Sequence, residues 1–183
     1  MTTDTIHLTA EQLETGLAGV RSSPSEDGTV AMIVARPAED EREMLASGTF
    51  TIAGGLEGDD WHHRGSIDPD AQLTLINRAW LDHICAGDRS RWPLAGDQVV
   101  VDLDLSTANL VPGDRLRLGT ALVEVTSKPH TGCKKFVARY GVEAQRLGAT
   151  DVGKALRLRG IYVKVVEDGE ATPGDTIRKV DTS

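Results

Sequence analysis

The chain has 183 residues, 39% hydrophobic and 26% charged, with a formal net charge of −8. That length predicts one domain over residues 1–183 with a sizeable core, and the acidic balance argues against nucleic-acid binding. No run approaches the ~18 apolar residues of a membrane span, residues 1–6 lack the basic start of a secretory leader, and two cysteines cannot form a disulfide framework, so a cytoplasmic protein with reduced thiols is expected.

In chain order, Thr9-Ala10-Glu11-Gln12 is a capping box, with Leu8 and Leu13 placed as a hydrophobic staple. Leu13, Leu17 and Val20 continue at helical spacing, which predicts a helix over 9–22, ended by Ser22-Ser23-Pro24-Ser25. Residues 29–35 read as a strand and 37–48 as a loop with a helical turn. The glycine-rich stretch 54–60 is irregular by composition and leads into Trp61-His62-His63-Arg64. A short buried strand is predicted over 72–76. A helix follows over 78–86, with Trp80, Leu81, Ile84 and Cys85 on one face and Gly87 at its end. The remainder is β-rich. Residues 115–118 alternate polar and apolar strictly, 121–126 nearly so, and 98–103 only near the end of the segment. Two short helices fit 132–140 and 142–147. Strands over 161–166 and 176–180 are expected to be joined through Asp168-Gly169. Pro112-Gly113-Asp114 and Pro173-Gly174-Asp175 each precede a strand and look like equivalent turns. The pattern predicts a mainly β protein, barrel-like over about 29–180, with peripheral helices.

The two cysteines differ in setting. Cys85 sits on an apolar helix face, where free cysteine behaves as a small hydrophobe. Cys133 lies in Ser127-Lys128-Pro129-His130-Thr131-Gly132-Cys133-Lys134-Lys135-Phe136. Pro129 and Gly132 turn the chain there, a helix start is predicted next to it, and Lys128, His130, Lys134 and Lys135 flank it. Cations and a helix start favour thiolate, the form that attacks, carries sulfane sulfur or ligates metal. The plain alternative is a loop cysteine near solvated lysines. No acid occurs over residues 125–142, a run of 18 in a chain with 28 acids. The run carries Lys128, Lys134, Lys135 and Arg139, which suits a phosphate-bearing ligand, and Arg64 adds a further candidate anion contact. His62 and His63 point apart in extended chain, and no zinc-ligand spacing accompanies them. Asp97, Asp114 and Asp175 follow glycine and read as turn residues. Asp59, in the irregular loop, is the carboxylate of most interest. No nucleotide or hydrolase fingerprint is present.

Four segments together resemble the MOSC family, named for the C-terminal domain of molybdenum cofactor sulfurase. They are Gly55-Leu56-Glu57-Gly58-Asp59, residues 106–114 around Asn109, residues 123–126 running into Pro129 and Cys133, and Arg159-Gly160-Ile161-Tyr162 with Pro173-Gly174-Asp175. The resemblance covers residues 50–180. It implies a MOSC-type β-barrel and assigns Cys133 the role of a cysteine that ligates molybdenum in a molybdopterin-type cofactor or carries persulfide sulfur. On this reading Lys128, His130, Lys134, Lys135, Arg139, Arg64, Asn109 and Asp59 are the candidate cofactor contacts. Some members reduce N-hydroxylated bases. The segment at Asn109 lacks the glutamate that many members carry before asparagine. The expected partners are a small-molecule cofactor and an external electron-donor or sulfur-acceptor protein. A binding module with an incidental cysteine is the third reading.

Overall fold

The computed structural model describes residues 5–63 and 67–181. Seven strands form a closed barrel: β1 (Asp27–Ala35), β5 (Leu73–Asn77), β6 (Val99–Asp102), β7 (Arg115–Leu118), β8 (Ala121–Val125), β9 (Ile161–Glu167) and β11 (Thr176–Val180). Their order is β11-β7-β8-β9-β5-β6-β1, and β1 pairs back onto β11 to close the ring. Closure removes the free edges of an open sheet. The β5–β6 pair is parallel, and the other barrel pairs are antiparallel. Parallel neighbours need a crossover connection. Helix α3 (Arg78–Ile84) and a 3-10 segment (Arg89–Ala95) supply it.

Two apolar clusters lie on the two faces of the barrel wall. Val30, Ile33, Leu75, Val99, Val101, Val123 and Val163 fill the interior. Met32, Val34, Ile76 and Val100 face outward, against helices α1 (Ala10–Thr15), α2 (Leu17–Arg21) and α3. The switch of parity along β1 comes from an irregularity between Val30 and Met32, which lets one strand serve both layers. The outer layer also takes α4 (Lys134–Tyr140) and α5 (Val142–Ala149) through Phe136, Tyr140 and Ala144. Helix α6 (Asp151–Ala155) follows α5.

The capping box at Thr9 forms in both directions, with Gln12 N–H donating to Thr9 Oγ1 at 3.2 Å and Thr9 N–H donating to Gln12 Oε1 at 2.9 Å. The expected single helix is interrupted at Gly16, which ends α1 and starts α2. The two Pro-Gly-Asp turns are equivalent in their bonds. Asp114 Oδ2 accepts from Val111 N–H at 2.9 Å, and Asp175 Oδ2 accepts from Thr172 N–H at 2.8 Å. The glycine N–H of each then donates to a barrel valine, Val125 or Val30, at 2.8 Å.

Three expectations need correction. Residues 37–48 carry no helical turn but the short strand β2 (Glu43–Met44), paired with β1. The glycine-rich stretch contains β4 (Gly55–Leu56), paired with β3 (Gly48–Thr51). Residues 161–180 are not a simple hairpin. β10 (Gly169–Ala171) follows β9 and leaves the barrel to pair with β3, and β11 joins β7 and β1. Strands of two to four residues rich in glycine give no alternation to detect, and partner choice is a tertiary decision.

Asn77 ties the layers together. Its Oδ1 accepts from Trp80 N–H at 3.0 Å as the N-cap of α3, and its Nδ2 donates to Leu103 O at 2.9 Å and Ser23 Oγ at 2.8 Å. Asn77→Ala removes a cap and leaves a buried carbonyl unpaired, a loss of about 2–3 kcal/mol. Urea unfolding should show this as a lower midpoint with an unchanged m-value.

Candidate functional site: a cationic cleft at Cys133

A cleft of about 770 Å³ opens on the outer side of the barrel wall, where Arg36 just after β1, Thr74 of β5, Gln98 just before β6 and Tyr162 of β9 come together. Its walls come from the segment after β1, the 3-10 turn Trp61–His63, the loop before β6, residues 128–139 and the start of β9. Cys133 is exposed in this wall and is the N-cap residue of α4, with extended backbone and no side-chain capping bond. A Cβ on Gly132 would fall 1.6 Å from Gln145 Oε1, the far end of a flexible side chain on α5 that can swing aside. Gly160, at φ +98, has its Cβ direction blocked 2.3 Å away by Leu75 O, so the strand start beside the cleft depends on glycine.

Six cationic side chains among the described residues line the cleft: Arg36, Arg42, Lys128, Lys135, Arg139 and Arg159. The acid-free run 125–142 therefore does converge, but its cations are met by acids from elsewhere in the chain. Lys128 pairs with Asp68. Lys135 pairs with Glu39 at 2.8 Å and Asp40 at 2.9 Å, and Arg139 with Asp40 at 3.1 Å. Hydrogen bonding to Lys135 holds the Asp40 carboxyl below its ordinary range, and Asp68 raises the Lys128 ammonium. These carboxylates are exposed, and exposed pairs contribute little, so an incoming anion can replace them.

Two sealed carboxylates lie behind the wall. Asp59 accepts from Arg36 Nε at 2.9 Å, Arg36 Nη2 at 2.9 Å and Arg36 N–H at 2.8 Å, and Gln98 Nε2 donates to it at 3.3 Å. Burial alone would raise the Asp59 carboxyl, but the Arg36 hydrogen bonds and charge outweigh it and hold it low. Asp97 binds Arg159 Nη1 at 2.7 Å, and its other oxygen stands 3.8 Å from His130 Nδ1. The ring of His130 lies 4.5 Å from that of Tyr162, and Arg159 stacks over Phe136 at 4.8 Å, tying α4 to β9. Burial, then the charge of Arg159, pushes the His130 imidazole down to about 4, against the opposing pull of Asp97.

Of the sequence-derived candidates, Cys133, Lys128, His130, Lys135 and Arg139 share the cleft. Lys134 is exposed and points elsewhere than this cavity. Asn109 lies outside it, because its amide donates to Ser25 O and Asp104 O, both at 2.8 Å, and fixes a distant loop. Asp59 stands behind Arg36 rather than in the cavity, since it is consumed by that ion pair. Arg64 lies outside the described residues. His62 and His63 are exposed, and no group of three or more potential metal ligands occurs among the described residues. Arg36, Arg159 and Asp97 were missed. Arg36 carried one signal, an arginine between the end of a strand and Pro37. Arg159 stood in a segment singled out for resemblance, while Asp97 was read as a turn residue.

A seven-stranded mixed barrel with an exposed cysteine in a charged cleft is thus the class of protein that the fold and site define. A MOSC domain model matches residues 59–178, and the chain belongs to that family. Solved structures agree in fold. YiiM from Escherichia coli is 21% identical with a TM-score of 0.56, covering 85% of this chain and 71% of that one. The YuaD protein from Bacillus subtilis is 14% identical with a TM-score of 0.58, covering 82% and 94%. YiiM from Geobacillus stearothermophilus is 18% identical with a TM-score of 0.57, covering 84% and 75%. A search of curated proteins found no match. Among the described residues, no helix is long and apolar enough to cross a membrane.

Two measurements check this geometry. Cys85 is 1% exposed, and burial pushes its thiol up to about 12. Iodoacetamide should therefore label Cys133 and spare Cys85 in the native protein, with both labelled in denaturant. His130 must stay neutral in the fold while it protonates in the unfolded chain. Stability should be full above about 6.5 and fall by up to about 3 kcal/mol as the pH drops towards 4. His130→Gln should flatten that slope, read as urea midpoints against pH.

Proposed function

We propose that this MOSC-domain protein binds a phosphate-bearing molybdenum–pterin cofactor in the cleft, with Cys133 Sγ as the protein's ligand to the metal. The observation that carries the reading is an exposed cysteine, uncommitted as a capping side chain, in a cavity of about 770 Å³ whose wall, among the described residues, carries six cationic side chains against four carboxylates. Cavities of ~300–1,000 Å³ suit cofactors of this size. The donor set fits a metal that arrives inside a cofactor. One soft thiolate is on offer, and the described residues contain no multi-ligand cluster for a bare ion. When bound, the group would supply redox chemistry at the metal, as in the family members that reduce N-hydroxylated bases.

The chain's own residues would do the rest. Lys128, Lys135 and Arg139 would exchange their exposed carboxylate partners for the phosphate. Trp61 and Tyr162 offer aromatic side chains in the wall for a planar ring. Arg36 and Arg159 are fixed by Asp59 and Asp97, so they hold positive charge in place without reorganising. Electrons would come from a separate donor protein in a reducing, cytoplasmic setting.

The exposure of Cys133 also favours a second reading, a cofactor-free persulfide carrier, because a partner's thiol can reach Sγ. One preparation separates the two. Protein from a molybdate-replete host should carry molybdenum by elemental mass spectrometry, and Cys133→Ala should lose it while melting at the same temperature. Cyanide-releasable sulfur without molybdenum would select the carrier. Neither metal nor sulfur in the wild-type protein, or equal loading of Cys133→Ala, would overturn both.

A further inference from the structure

Four buried side-chain polar atoms among the described residues have no hydrogen-bond partner, and three of them belong to one cluster: His130 Nδ1, Asp97 Oδ1 and Arg159 Nε. The fourth, Trp92 Nε1, lies in the outer apolar layer. Orphaned buried polar atoms are costly, so the cluster needs an arrangement that satisfies it. His130 and Asp97 have side chains only 8% and 1% exposed. Nδ1 and Oδ1 stand 3.8 Å apart, too far for a hydrogen bond as placed, and Arg159 Nε is the third unpaired atom of the cluster, a donor that Oδ1 can also accept from.

Three proton arrangements are open to the imidazole. A proton on Nε2 alone would set the Nδ1 lone pair against the Asp97 carboxylate. An imidazolium would be buried near two guanidinium groups, Arg159 and Arg36, with Asp97 already committed to Arg159. A proton on Nδ1 alone points an N–H at Asp97 Oδ1 and costs only a small approach of the two side chains. The Tyr162 ring covers one face of the imidazole and adds no charge. Nδ1 is the sealed nitrogen, which leaves Nε2 as the one able to meet a ligand, and His130 lines both the cleft and a neighbouring cavity of about 390 Å³.

The geometry points to His130 as a specificity-determining residue that Asp97 locks in the neutral, Nδ1-protonated tautomer, so that Nε2 is a fixed hydrogen-bond acceptor in the cleft. Its ligand partner is then an N–H or O–H donor. A fully ionised phosphate has nothing to donate there and is steered to Lys135 and Arg139 on α4. A ligand that is anionic at one end and a donor at the other would then take one orientation in the cleft. This orientation rests on the cofactor reading above, while the tautomer does not.

Long-range nitrogen–proton correlation spectra of histidine-labelled protein test it, with His130 assigned by loss of its signals in His130→Gln. The expected result is a protonated Nδ1 and an unprotonated Nε2 throughout the neutral range. Asp97→Asn, which can turn an amide N–H towards the ring, should move the proton to Nε2. An Nε2-protonated or cationic ring in the wild-type protein would overturn the proposal, as would a tautomer unchanged in Asp97→Asn. If that variant does not fold, the wild-type spectrum decides the tautomer alone. The spectra need no bound cofactor, so a protein that loads neither molybdenum nor sulfur would defeat the functional reading and leave this result standing.

Discussion

Asp59 cannot remain ionised and sealed at the end of β1 without Arg36, and the cleft is built on that constraint. Its side chain is fully buried while that of Arg36 is 13% exposed, so the pair spans from interior to cavity wall. Removing one partner of such a pair typically costs ~3–5 kcal/mol, because it strands the other charge. The pair links the segment after β1 to the loop before Trp61, and Gln98 joins it to β6 and β5 by accepting from Thr74. Asp97 repeats the design with Arg159 at the start of β9. The segments flanking β1, β6 and β9 are therefore stapled by buried carboxylates whose arginine partners line the cavity.

The rigid wall contrasts with the cations of residues 128–139. Those pair with carboxylates that solvent already reaches, so the pairs can open at small cost. A cavity with fixed charge behind and exchangeable charge in front suits an anionic ligand that must enter and leave. Cys133 belongs to the exchangeable side, since its thiol caps no backbone group and lies open.

Much of the barrel was legible because its strands alternate. β7 has the ends that its alternation predicts, and the paired Pro-Gly-Asp turns follow from residues that admit few other conformations. β3, β4 and β10 were not legible, being short and glycine-rich and gaining their stability from each other. The site divides in the same way. Cys133 and its flanking cations are contiguous in the chain, so composition alone gathers them. Arg36, Asp59, Asp97 and Arg159 are brought together only by barrel closure, and no local pattern announces an ion pair 23 or 62 residues apart. Asn109 shows the reverse case, a residue set in a family-like segment whose amide is spent on its own loop. Membership of the MOSC family and the likeness to the YiiM and YuaD structures fix the fold, whereas the chemistry has to be argued from the cleft itself.

The most direct test of that argument is a crystal soaked in inorganic phosphate. The account predicts an anion beside Cys133, within hydrogen-bond reach of at least two of Lys128, Lys135, Arg139 and Arg36, with Asp40 or Asp68 released from its partner. Phosphate that settles only outside the cleft, with every pair along its rim still closed, would contradict it.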